Sequence, residues 1–161
     1  MRPEDLLELR NDLRRERRRL GRLVDSLGEL RPRLRAGAET VEAAALRLHS
    51  FYTGVERALL LITRTVNGGT PRQGEGWHRR LLERMAMATE LRPAALGEET
   101  QQRLQEYLRF RHLVRNLYSD ELRPEPIEIL LGDLPDVWQR LEADLVRFEA
   151  WAGDVAREGT T

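Results

Sequence analysis

Two long apolar seams constrain this chain more than anything else in it. Leu6, Leu9, Leu13, Leu20, Leu23, Leu27 and Leu30 recur at alternating steps of three and four residues, broken only where Glu16 stands in the row. Positions three and four apart share one face of an α-helix, so residues 3–31 are expected to form a long helix that needs a partner along its length. Val41, Ala45, Leu48, Tyr52, Val55, Leu59, Ile62 and Val66 continue the same spacing without a break. Pro32 and the segment "RPRLRAGAE" separate the two, because proline ends a helix by removing a donor and clashing with the preceding turn. The expectation is a hairpin in which residues 1–36 pack on residues 38–66.

Punctuation divides the remainder. "NGGTPRQGEG", residues 67–76, is dense in glycine and proline and reads as a loop. A shorter helix is expected from about Trp77 to Thr89, and Pro93 and Gly97 mark the next break. "GEETQQRLQEYLRFRHLVRNLY", residues 97–118, opens with acids that suit a helix N-terminus. "SDELRPEP" is a turn, and a last helical region from about Pro126 to Arg157 is expected to bend around "GDLPD", where Pro135 sits. With no period-two strand and no internal repeat, the fold expected is all-α, an antiparallel four- to five-helix bundle forming a single domain over residues 1–161.

Composition excludes several kinds of chemistry. There is no cysteine, hence no disulfide framework, and three scattered histidines give no zinc-ligand spacing; neither a metal nor a cofactor is expected. "MRPEDLLELRND" has no apolar signal core and no run is long enough to span a bilayer, so a cytoplasmic protein without membrane association is expected. All 27 basic residues are arginine, against 27 acids, for a net charge of zero. General attraction to nucleic acid is therefore absent, and any such binding must come from a local patch. Charge is unevenly shared: residues 1–36 hold 11 Arg against 7 acids and residues 119–161 hold 4 against 11, so the two ends should attract. The basic run "RRERRRLGR" on the first helix can be read as a phosphate-binding face or as a solvated face balanced by Glu4, Asp5, Glu8, Asp12 and Glu16.

"RFRHLVRNLY", residues 109–118, holds the most chemistry in the fewest positions. On a helix at ~100° per residue, Phe110, Leu113, Val114 and Leu117 share the core side. Arg111, Arg115 and Tyr118 fall within ~60° of one another at its edge, and His112 and Asn116 form a second, more exposed column. Guanidinium forks match phosphate oxygens, histidine can move a proton near neutral pH, and tyrosine can be a nucleophile or a modification acceptor.

This stretch resembles the signature of the HEPN superfamily, specifically its HepT-like ribonuclease toxins, in which an Arg is followed after four residues by His and after one more by Tyr. Arg111 fills the Arg position, Tyr118 the Tyr position, and His112 the polar position after the Arg; Asn116 stands where the His belongs. "LHSFYTGVERALLLI" (48–62), "GWHRRLLERMA" (76–86), "ELRPAAL" (90–96), "EYLRFRHLVRNLY" (106–118) and "LPDVWQRLEADLVRF" (134–148) also look like blocks of one bacterial branch of such proteins, in the expected order. The resemblance implies a homodimer whose motif helices face a common cleft, and metal-independent cleavage of RNA by attack of a ribose 2′-hydroxyl on its own phosphodiester. Arg111 would stabilise phosphate charge, with Arg115 and Arg109 adding RNA-binding potential inferred from their placement. It also implies a partner, an MNT-type minimal nucleotidyltransferase antitoxin that transfers AMP to the motif tyrosine, here Tyr118.

Asn116 opens two readings, because an amide cannot act as a general acid or base at neutral pH. Either His112 supplies the proton transfer and the protein is a ribonuclease toxin of a toxin–antitoxin or defence module, or the fold is a weakened or inactive platform for the nucleotidyltransferase. Other residues carry less. Trp77-His78 can line a cleft or pack under the loop, His49 reads as a core histidine, Glu56 with Arg57 as an internal ion pair, and Trp138 and Trp151 as packing residues.

Overall fold

The computed structural model describes residues 1–66 and 73–160, and those residues form helices and connections with no strand. Helix α1 is Pro3–Leu30, α2 Ala38–Val66, α3 Trp77–Met85, α4 Glu98–Val114 and α5 Pro124–Glu158, with single 3-10 turns at Arg31–Arg33 and Ser119–Glu121. Most of the loop expected at 67–76 lies outside the described residues. Among the described residues no helix is long and apolar enough to cross a membrane.

Both seams do what their spacing predicts. Leu6, Leu9, Leu13, Leu20, Leu27 and Leu30 are buried on α1, and the α2 seam is buried from Val41 to Val66. Helix α1 lies between α2 and α5 and packs on both. Its approach to α2 is closest where Leu20 meets Gly54: a Cβ there would stand 2.7 Å from Leu20 Cδ2, so the crossing uses a position without a side chain. Arg47 Nη1 donates to Ser26 Oγ at 2.7 Å further along, and Glu16 faces Arg57, so α1 and α2 form the antiparallel hairpin expected.

The basic first segment and acidic last segment meet within one chain. Arg17 donates through Nε and Nη2 to Glu149 at 2.7 and 3.0 Å, and Arg35 does the same to Glu128 at 2.7 and 2.8 Å. Low numbers on α1 face high numbers on α5, so these helices are antiparallel as well. The bend expected at Pro135 does not interrupt α5. Proline leaves one carbonyl without its helical donor, but Leu130, Leu131, Leu134, Val137, Leu141 and Leu145 bury the helix on either side of it.

The short connections position the remaining helices. Helix α3 stops at Met85, before the Thr89 that the sequence suggested, because the chain folds back on itself. The N–H groups of Ala95 and Leu96 donate to the Met85 carbonyl at 2.8 and 3.0 Å, and Arg92, 3% exposed, donates to the carbonyls of Arg84, Met87 and Pro93. The Gly97 N–H that opens α4 donates to Asp144 Oδ2 at 2.8 Å, and Tyr107 donates to the Leu130 carbonyl at 2.8 Å, so α5 holds both ends of the buried part of α4.

The Arg17–Glu149 pair is nearly desolvated on its acidic side, with Glu149 4% and Arg17 18% exposed in their side chains. Removing one member of such a pair strands the other, and the residual water access of Arg17 reduces that loss. Glu149→Ala should therefore lower unfolding stability by about 2–3 kcal/mol in urea titrations, whereas Arg17→Met with Glu149→Leu should lose much less. A cost below about 0.5 kcal/mol for the single variant, the range of ordinary surface substitutions, would contradict this role.

Candidate functional site

Three helices bring four polar side chains together beside the core. Glu56 comes from α2, His78 from the first turn of α3, and Arg111 and His112 from the last turn of α4. An acid on so apolar a helix as α2 is costly unless it is paired, and Glu56 is buried, with 7% of its side chain exposed.

The entry to α3 is built to place His78. Gly74 and Gly76 have φ of +80° and +74°, left-handed values that favour glycine, and Arg80 ties this turn down by donating to the carbonyls of Gln73 and Glu75 at 2.6 and 2.7 Å. Trp77 then stacks on the His78 ring with centroids 3.7 Å apart and an interplanar angle of 27°.

His78 Nδ1 lies 2.5 Å from Glu56 Oε2, and Arg111 Nη1 lies 3.4 Å from Glu56 Oε1 and 3.4 Å from the same His78 Nδ1. One nitrogen cannot both donate to the carboxylate and accept from Arg111. The much shorter contact with Glu56 assigns the Nδ1 proton to that bond, which leaves Nε2 outside it and makes the Arg111–His78 approach electrostatic. The His112 ring completes the group, edge-on to His78 with centroids 5.3 Å apart at 75°.

Arg111 is held differently from a structural arginine. Arg17 gives Glu149 two bonds of 3.0 Å or less, while Arg111 reaches Glu56 only at 3.4 Å and its buried Nε has no partner. The guanidinium is fixed in place with donors still unsatisfied, which suits recognition of an anion. The Tyr52 hydroxyl is likewise buried and unpartnered, and burial and the Glu56 charge push it well above the usual phenol range.

Electrostatics favour neutral imidazole at two of the histidines. Partial burial lowers the pKa of His112 from its ordinary value, and His78, Arg111 and Arg115 lower it further against the opposing pull of Glu56. His49 is lowered by burial and then by Arg111 and Arg115. It is half-buried rather than a core residue, and lines a groove between α1 and α2. The cluster thus holds an imidazole biased toward its neutral form, a second imidazole fixed by a carboxylate, and a cation beside the second, a set that can shuttle protons around a bound phosphate.

A model of the family described as "HepT-like protein" matches residues 43–152, well over half of the chain. The chain belongs to the HepT-like family. Searches of curated proteins and of solved structures returned no match. The HepT-like match takes in α3 and α4 whole and most of α2 and α5, and so all four cluster residues, while α1 lies outside it.

The motif residues of this HepT-like chain scatter more than a continuous helix would allow. Helix α4 ends at Val114 with Arg115 as its C-cap, so Asn116, Leu117 and Tyr118 no longer follow the helical columns the sequence suggested. The N–H groups of Asn116 and Leu117 close tight turns onto Leu113 and Val114, and Asn116 Nδ2 donates to the His112 carbonyl at 3.0 Å, capping the helix end that carries His112. Tyr118 is extended and 79% exposed. Leu113, expected in the core, is 51% exposed, and Arg111 takes the inward position beside Phe110 instead. Arg109 is ~160° round the helix from Arg111 and pairs with Glu106 at 2.5 Å on the outer face.

Glu56 pairs with His78 and Arg111, not with its neighbour Arg57, which faces Glu16 at 3.9 Å. The sequence couples Glu56 with Arg57 and His78 with Trp77, each within its own segment, and 22 residues separate the pair that the fold brings together. The signal available was an acid in the apolar stretch between Val55 and Ala58–Ile62, far from the first-turn acids Glu39 and Glu42, and a buried acid requires a cationic or donor partner.

The His112 assignment has a direct check. Its pKa in an NMR titration should lie below 6.5, and Arg111→Gln should raise it by removing a nearby positive charge; a value at or above 6.5 that ignores the substitution would refute the electrostatic description.

Proposed function

We propose that this HepT-like protein is a metal-independent endoribonuclease toxin of a toxin–antitoxin or defence module, in which His78 and His112 share the proton transfers that the family's signature His and its neighbours perform. The observation that carries the reading is the Glu56–His78–Arg111–His112 cluster, with two imidazoles 5.3 Å apart and a partly unsatisfied guanidinium beside them. Neutral His112 takes the proton from the ribose 2′-hydroxyl as its oxygen bonds to phosphorus. Protonated His78, its charge balanced by Glu56, gives its Nε2 proton to the 5′-oxygen as the P–O5′ bond breaks. The products are a 2′,3′-cyclic phosphate and a 5′-hydroxyl end. Arg111 stabilises the extra charge on the crowded phosphate, and Arg115 adds positive potential at the helix end. Asn116 positions His112 through the helix carbonyl instead of moving a proton. A homodimer with facing α4 helices forms the cleft, and the exposed Leu113 next to His112 supports such a contact.

Purified protein incubated with single-stranded RNA should release cyclic-phosphate ends without added metal. Loss of a general acid or base typically costs ~10²- to 10⁴-fold, so His78→Ala and His112→Ala should each fall in that range and Arg111→Ala at least as far. The acid limb of the rate profile should lie below pH 6.5, since His112 must be neutral and its pKa is lowered. Wild-type rates in both histidine variants would end this reading.

The second reading, a helical platform for a nucleotidyltransferase with little cleavage of its own, is favoured by Tyr118. Its side chain is 79% exposed and its backbone is anchored by a bond to Glu121 Oε1 at 3.0 Å, which is how a modification acceptor must be presented. Attack of the phenol oxygen on the α-phosphorus of ATP would form Tyr118–AMP and release pyrophosphate. Incubation with an MNT-type nucleotidyltransferase and ATP should add one AMP to the wild type and none to Tyr118→Phe, read by intact-mass spectrometry; addition to both would exclude Tyr118 as the acceptor.

A further inference from the structure

The basic run "RRERRRLGR" at residues 14–22 lies on α1, outside the HepT-like match that begins at residue 43. Part of it is structural. Arg17 and Arg14 serve Glu149, at 2.7 and 3.6 Å, and Arg15 pairs with Asp12 at 3.1 Å. Arg19 and Arg22 are different. Both are exposed, neither makes an ion pair among the described residues, and both line a groove of about 710 Å³ between α1 and α2.

The opposite wall carries His49, Thr53 and Arg57. Arg57 reaches its nearest acid, Glu16, only at 3.9 Å, so its guanidinium is barely engaged. Two buried atoms at the groove have no partner, Glu16 Oε2 and Thr53 Oγ1. Leaving such atoms buried and unbonded is unfavourable, and Glu16 occupies the one place where the leucine seam is broken. Three under-used guanidiniums with a carboxylate that has one unbonded oxygen do not describe a site for a simple anion, which Glu16 would repel. They fit a ligand that alternates phosphates with hydroxyl or amino donors. His49 lines this groove on the same helix that carries Glu56 of the cluster. Glu56 follows seven residues later on α2, about 10 Å along the axis.

We propose that the α1–α2 groove is a second RNA subsite, in which Arg19, Arg22 and Arg57 hold phosphates flanking the scissile one while Glu16 and Thr53 bond to sugar or base. This rests on RNA being the substrate of the Glu56–His78–Arg111–His112 cluster. It makes α1 a substrate-holding element as well as a packing element.

The test is binding, measured apart from cleavage. A short fluorescent single-stranded RNA with 2′-fluoro sugars cannot undergo 2′-hydroxyl attack, and its anisotropy reports affinity for the full chain. Arg19→Ala with Arg22→Ala should weaken binding roughly tenfold and flatten the salt dependence by about 1.4 in log–log slope, the loss of two single-strand phosphate contacts. Arg33→Ala with Arg123→Ala removes the same charge from exposed positions outside the groove and should bind as wild type, with unchanged thermal melts in both doubles. Wild-type affinity in the groove variant, equal weakening in both doubles, or no binding by wild type overturns the proposal. So does competition by a mononucleotide as effective as the oligomer itself, which would make the occupant a free nucleotide. Anisotropy on the uncleavable RNA reports the groove and cleavage of ordinary RNA reports the cluster, so failure of the cluster reading and failure of the groove register in different assays.

Discussion

A single buried carboxylate ties the site to the fold. Glu56 stands on α2, where nearly every neighbour is apolar, and its two oxygens face different helices: Oε2 takes the His78 contact from α3 and Oε1 faces Arg111 on α4. Burial makes that charge expensive unless both contacts persist. The same cost that constrains α3 and α4 therefore also fixes the tautomer of His78 and holds Arg111 close to it. Without Glu56 the short α3 would keep its apolar contacts through Leu81, Leu82 and Met85 and the Trp77 stacking on His78, but the imidazole would lose its hydrogen-bond partner.

The molecule uses arginine in two distinguishable ways, and the distinction is geometric. Arg17, Arg35 and Arg92 have their donors taken up at short distances by carboxylates or carbonyls, and they hold helices and turns together. Arg111 keeps its buried Nε unpartnered, and Arg19 and Arg22, without ion pairs among the described residues, line the groove between α1 and α2. In a chain whose every basic residue is arginine, density on the sequence separates none of these. Distance and saturation of the guanidinium do. The HepT-like match covers Arg111 and leaves out Arg19 and Arg22.

Much of the bundle was legible in advance because helical periodicity is a local property. The leucine seam and the Val41–Val66 seam each specify a helix and its buried face without reference to anything distant, and the glycine and proline breaks mark the turns. Pro135 and the end of α4 show where packing outranks local signals. Packing on both sides carries α5 through its proline, while at Val114 tight turns and the Asn116 cap end a helix whose sequence would continue. In both places contacts outrank propensity, because a few buried side chains or backbone bonds exceed the small preferences of single residues.

The site divides along the same line. Sequence by itself determined the helical class and the two seams of α1 and α2, which follow from spacing within single segments, and the family, which rests on blocks spread along most of the chain; it singled out Arg111 and His112 as candidates. Only the tertiary structure decided that Glu56 and His78 belong with them, that Asn116 caps the helix, and that Tyr118 leaves the motif face. Those facts depend on which helices are neighbours and where each one stops, and the cost of burying an unpaired charge acts only after the helices have met.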